Sequence, residues 1–173
     1  MSRRRGVTLV ELMVTVAVVG VVTAIGTGAL ISGRRGWQAS ENQIAIQRYA
    51  RQGLQRMSKE LKRASASTVV GVPADGSGHN SIQFQIAESF DSNSGNIVWS
   101  QPVRYVLGGA DGEQLIRSQG GQTEILANYI SSVTFARSNA DPNLVAVTVQ
   151  SRKTALNQRT EQINLSSEIR LRN

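Results

Sequence analysis

Residues 7–31 read VTLVELMVTVAVVGVVTAIGTGALI. These 25 residues carry one charge, Glu11, and are long enough to cross a bilayer as a helix with some tilt. Many are β-branched, which lowers helix propensity in water. In lipid the backbone must satisfy its own hydrogen bonds, so the helix still wins. Arg3, Arg4, Arg5 and Gly6 stand ahead of the run. By the positive-inside rule the arginines keep the N-terminus in the cytoplasm and send the rest of the chain outward. A secretory signal peptide shares the basic start, but its apolar run is shorter, and Thr27-Gly28-Ala29 is a poor small-residue cleavage site. A plain single-span anchor explains everything except Glu11. A carboxylate about one turn into a membrane helix is costly unless it is paired, neutralised or held at the interface.

Arg3-Arg4-Arg5-Gly6 followed by Val7-Thr8-Leu9-Val10-Glu11 resembles the leader and N-terminal motif of type IV prepilins and type II secretion pseudopilins. The shared features are a basic leader, Gly before the cut, a Thr-Leu pair, Glu five residues into the mature chain, and a bilayer-length apolar run. The family most often has Phe where this chain has Val7. The resemblance implies that prepilin peptidase cuts between Gly6 and Val7, and that Val7 becomes an N-methylated terminus. A glycine at the cut suits close backbone approach. It implies too that Glu11 pairs with the amino terminus of a neighbouring subunit. The physics agrees, because a carboxylate neutralises an ammonium effectively where the dielectric is low. The implied partners are other pilin-like subunits, the peptidase and an inner-membrane assembly platform. The implied placement is a single pass through the inner membrane with a periplasmic C-terminal domain.

The formal net charge is +7, with a sequence pI near 10.8. The three leader arginines inflate it: without them 16 Lys and Arg stand against 12 Asp and Glu, a balance of +4. The chain has no cysteine, so disulfides and thiolate metal sites are excluded. His79 is the single histidine and lies in the turn-like run Asp75-Gly-Ser-Gly-His-Asn-Ser81. Turn chemistry makes it an exposed loop residue. Gly20, Gly26, Gly28 and Gly33 punctuate the later part of the apolar helix, and serve either local unwinding or close helix packing.

After Arg34-Arg35 the pattern turns amphipathic. Ile46, Ala50, Leu54, Met57, Leu61 and Ala64 recur at steps of three and four, the period of a helix with one buried face. No proline interrupts residues 7–64. Arg56 and Glu60 are spaced to pair weakly. Arg48, Arg51 and Lys59 lie off the apolar stripe and are the candidate nucleic-acid contacts. A solvated helix face accounts for them more simply, since Tyr49 is the only aromatic nearby and base stacking lacks a platform.

From Thr68 the helical period gives way to alternation. Ile82, Phe84 and Ile86 alternate, as do Val103, Tyr105 and Leu107, and Val145, Val147 and Val149. The Asp111-Gly112 turn signal joins 103–108 to 114–118 as a hairpin. Val133–Phe135 is a short strand. Ile163 to Leu171 forms a last strand that bends at Ser166-Ser167. Ile125–Ile130 fits either a helical turn or a strand. The fold class is therefore α+β and pilin-like, a long N-terminal helix packed on an antiparallel β domain. The expected divisions are a leader at 1–6, a membrane or filament-core helix at 7–31, its amphipathic continuation at 32–66, and a β domain at 67–173 packed on 37–64. The spacing of Tyr105, Leu115-Ile116-Arg117 and Val133-Thr134-Phe135, with the ending EIRLRN, resembles PilW-type minor pilins and the J-type minor pseudopilins. That resemblance implies a structural subunit that initiates or caps a filament, with a DNA-binding uptake pilin as the alternative.

No catalytic constellation is evident from spacing: no Ser/His/Asp set, no phosphate-binding loop and no paired carboxylates. Asp75, Asp91, Asp111 and Asp141 sit beside Gly, Ser, Asn or Pro. Oxygen-rich loops suit calcium, but none of these resembles a defined calcium loop, and turn chemistry explains them better. The expectation is no enzyme, no cofactor and no metal.

Overall fold

The computed structural model describes residues 8–92, 95–109, 111–154 and 160–172. Leader residues Arg3, Arg4, Arg5 and Gly6, and Val7, lie outside the described residues. The chain divides into two compact units, Met1–Glu41 and Asn42–Asn173.

The first unit is helical. Helix α1 runs Leu9–Leu61, so its first 33 residues belong here. Leu9–Arg34 is apolar and long enough to cross a membrane, and every described residue in it is exposed. Its threonines leave no hydroxyl unsatisfied. Thr15, Thr23 and Thr27 each donate to the carbonyl four residues back, at 2.9, 2.7 and 2.8 Å. Such back-bonding removes the cost of a free hydroxyl in hydrocarbon. A Cβ added at Gly20, Gly26, Gly28 or Gly33 would meet nothing within 4 Å, and the helix is unbroken through all four.

The second unit holds the rest of α1 and ten strands. The predicted stripe is the buried one: Ile46, Ala50, Met57, Leu61 and Ala64 are fully buried, and Leu54 packs at the rim. The helix stops three residues short of Ala64. Ala64 instead donates its amide to the carbonyl of Leu61 three residues back (3.0 Å), a tightening common at helix ends. Ala64 then bridges to Ile86, and its carbonyl accepts from the Arg172 amide at 2.8 Å.

The strands are β1 (Gly78–His79), β2 (Ser81–Phe84), β3 (Ala87–Asp91), β4 (Asn96–Trp99), β5 (Val103–Gly108), β6 (Gln114–Gln119), β7 (Gln122–Asn128), β8 (Ile130–Arg137), β9 (Leu144–Thr154) and β10 (Thr160–Arg170). They make two four-stranded antiparallel sheets, ordered β1-β8-β9-β10 and β2-β5-β6-β7, and a separate β3-β4 hairpin. Strand β8 also touches β2, β5 and β6, which brings the two sheets together. The core lies between α1 and both sheets. It holds Phe84, Tyr105, Leu115, Phe135, Val147, Val149 and Ile169. The expected antiparallel β domain is found, and its division into two sheets is new: alternation tells which side chains share a face, not which strands are neighbours.

The predicted hairpin is β5–β6, closed by the Gly108–Gln114 pair, with Gly112 at φ +68° in the turn. Residues 125–130 resolve as the end of β7 and the start of β8. Between them Tyr129 takes φ +60°, an uncommon conformation for a bulky residue. Its carbonyl accepts from Ser151 Oγ (2.7 Å) and the Arg152 amide (2.8 Å). Its ring meets Tyr49 edge-on at 5.8 Å, and Lys153 Nζ lies 4.7 Å from the ring centre. These contacts hold the corner. The bend expected at Ser166-Ser167 is absent: β10 pairs with β9 from Thr160 to Arg170 without a register shift. Ser167 simply takes an inward position in phase with Ile163, Leu165 and Ile169.

Candidate functional site

The prepilin-like motif lies at the start of α1. Thr8 precedes the helix, and its hydroxyl accepts from the Glu11 amide at 3.3 Å. Thr8-Leu-Val-Glu11 is therefore one half of a capping box, with the acid in the first turn where the helix dipole favours it. The resemblance implied intersubunit pairing for Glu11; the geometry adds a local part for its backbone amide, which Thr8 caps. The signal was readable as Thr followed three residues later by Glu.

The second cluster was missed by sequence reading. Glu60 lies on the edge of the buried α1 stripe and is itself buried. Tyr105 of β5 donates its hydroxyl to Glu60 Oε2 (2.8 Å). Arg117 of β6 donates Nε to Oε1 (3.1 Å) and Oε2 (3.0 Å). Arg56 Nε reaches Oε1 at 2.9 Å from the solvent side. Only the Arg56–Glu60 spacing was visible beforehand. Desolvation and then the Glu60 charge push the Tyr105 phenol above its ordinary value. Burial opposes the charge of Arg117, but the hydrogen bond and charge of Glu60 outweigh it and raise its pKa. The cluster ties α1 to two adjacent strands and fills every buried side-chain hydrogen-bonding atom it contains.

Arg48, Arg51 and Lys59 are all exposed. The structure separates them. Arg48 and Arg51 flank a shallow depression made of α1 residues alone, with Ile44 and Gln55. Lys59 faces a different feature, a cleft of about 550 Å³ shared with Arg63, Arg117, Glu88 and Ser100.

Asp75, Ser77 and His79 do come together, contrary to the reading from spacing. Ser77 donates both its amide (2.8 Å) and its hydroxyl to Asp75 Oδ1, and its Oγ lies 2.8 Å from His79 Nε2. The serine stands between acid and imidazole. A nucleophile needs the imidazole between them, with the acid orienting it. The hydrogen bonds from the Ser77 side chain and amide lower the Asp75 pKa, as an exposed turn carboxylate requires. His79 belongs to β1, opposite Phe135, rather than to a free loop. Asp141 makes a similar turn, accepting from the Asn143 amide at 3.0 Å. Among the described residues no three of His, Asp and Glu gather as metal ligands.

Residues 1–27 match the family model described as the prokaryotic N-terminal methylation motif. No curated protein and no solved structure matches the chain. The motif, joined to a long apolar helix and an antiparallel β domain, supports a type IV pilin-like protein, a structural kind of protein with a membrane-anchoring helix and processing by prepilin peptidase.

Proposed function

We propose that this chain is a minor pilin or minor pseudopilin that helps initiate or cap a filament at the inner membrane. Its N-terminus is cytoplasmic and its β domain periplasmic. Prepilin peptidase cuts after Gly6, Val7 is methylated, and Glu11 meets the new terminus of a neighbouring subunit. The observation that carries the reading is the motif match over residues 1–27, which runs into the unbroken helix Leu9–Leu61. The minor role rests on the resemblance of residues 37–173 to PilW-type and J-type subunits.

The Thr8 cap uses the Glu11 backbone amide, which any side chain at position 11 leaves in place, so the Glu11 charge can be removed without losing the cap. Glu11→Gln removes that charge. An ammonium left unpaired by the change loses about 3–5 kcal/mol where it is fully buried. Glu11→Gln is therefore expected to be cleaved normally and to crosslink poorly to partner subunits. Normal crosslinking of Glu11→Gln would show that the Glu11 charge is not the assembly contact.

A DNA-binding uptake pilin is the second reading. One observation favours it: Glu60, the only acid among residues 42–63, is turned inward, so Arg48, Arg51 and Lys59 lack an exposed acidic neighbour on the helix. The test is duplex binding by the full chain against rising salt. Weak binding that vanishes steeply with salt fits a merely solvated face. Tight binding at physiological salt, abolished by neutralising those three residues, favours uptake.

A further inference from the structure

The Glu60 cluster lines a 550 Å³ cleft between the end of α1 and the β3 and β6 strands. That volume falls within the range of small-ligand and peptide pockets. Arg56 and Lys59 supply cations from the last turns of α1, Arg63 adds one just beyond its end, Arg117 comes from β6 and Glu88 from β3. Glu60 has already engaged Arg56 and Arg117. Lys59 and Arg63 then remain as the cations free to meet an incoming group, since Arg63 makes only a long 3.4 Å bond to the Ala87 carbonyl. The remaining lining is neutral: Ser100, Gln119 and the apolar Ile86.

We propose that this cleft binds an acidic segment of a partner polypeptide. A carboxylate enters between Lys59 and Arg63, against the repulsion of Glu88 in the same lining. Charge complementarity selects this occupant. Two free cations suit one or two carboxylates. A phosphate backbone needs a longer run of positive charge than this cleft leaves free. The cleft lies wholly within the Asn42–Asn173 unit and involves neither Glu11 nor the cleavage site, so it stands or falls apart from the assembly reading.

Trp99, the last residue of β4, is the chain neighbour of Ser100 in the cleft lining and serves as the probe. The experiment uses the full chain carrying Trp37→Phe, in a nonionic detergent, so that Trp99 is the only tryptophan. The probes are a capped peptide with two adjacent glutamates, its glutamine counterpart, inorganic phosphate and a short DNA duplex. The glutamate peptide is expected to shift Trp99 fluorescence saturably, and the glutamine peptide and phosphate are not. Lys59→Gln with Arg63→Gln should weaken glutamate-peptide binding about tenfold, the loss of a charge-assisted contact. Arg48→Gln with Arg51→Gln changes net charge equally but lies off the cleft, and should leave the affinity within about twofold once salt screens distant charge. Glu88→Gln should tighten binding. An unchanged thermal midpoint in each variant keeps folding out of the comparison. Equal weakening by both double variants would show diffuse helix charge instead of a site. Duplex DNA binding more tightly than the peptide, through the same residues, would also overturn the proposal.

Discussion

Glu60 collects three donors within 3.1 Å, from its own helix and from two strands, and this arrangement has measurable consequences. Removing the carboxylate leaves Arg117 charged and nearly buried without its partner. Glu60→Ala is expected to destabilise the β domain by roughly 3–5 kcal/mol. Tyr105→Phe should cost about 1 kcal/mol at neutral pH, because one hydrogen bond is lost while the two arginines remain. Its pH dependence is more telling. Burial and the Glu60 charge raise the Tyr105 pKa in the folded chain. The fold therefore favours the neutral phenol, and that contribution is complete below the unfolded value of about 10 and declines as pH rises beyond it. Thermal unfolding in detergent, followed between pH 8 and 11, should show a smaller alkaline loss in Tyr105→Phe than in the parent. Equal losses would mean that Tyr105 ionises freely. This cluster was not legible in the sequence because its members lie 45 and 57 positions apart, and spacing along one helix revealed only the Arg56 contact.

The amphipathic part of α1 was legible because a single face must be apolar to bury, and its period shows in the sequence. Gly53 was passed over, although it is a buried position where α1 packs tightly against β6 and β7. A Cβ there would lie 2.9 Å from Leu115 Cδ2 and 3.5 Å from Ala127 Cβ. Gly53→Ala gains about 1 kcal/mol of helix propensity and spends a similar amount displacing Leu115, so its net effect should be small. Gly53→Val adds bulk with no room and should destabilise by about 1–3 kcal/mol. A thermal midpoint for Gly53→Val equal to the parent's would mean that the helix stands off the sheet. The β5–β6 hairpin was readable from Asp111-Gly112 and its alternating flanks. The β3–β4 hairpin was not, and the reason is physical. Phe90, Ile97 and Val98 are all exposed, so neither strand alternates between core and water. The unbroken β10 was misread at Ser166-Ser167 because a serine at an inward position looks like a break in the apolar pattern.

At the scale of the whole chain, the pilin-like character was legible where many independent constraints fall on a short stretch. Charge ahead of the span, a glycine at the proposed cut, a capped helix start and a bilayer-length run coincide within residues 1–34, and the motif match covers most of it. The β domain offers no comparable stretch. Its alternation serves core packing, which many folds share, so pattern alone carries no filament role. On the proposed reading, methylation of Val7 and subunit pairing through its amine both depend on processing. The direct measurement is intact-protein mass spectrometry on the chain extracted from membranes, with sequencing of its N-terminal peptide. The expected result is a mature chain starting at Val7 with a methyl group on its amine, and loss of that species in Gly6→Val, whose side chain crowds the cut. A chain that retains Met1 in the presence of active prepilin peptidase, or one that starts near Ala29, would contradict it.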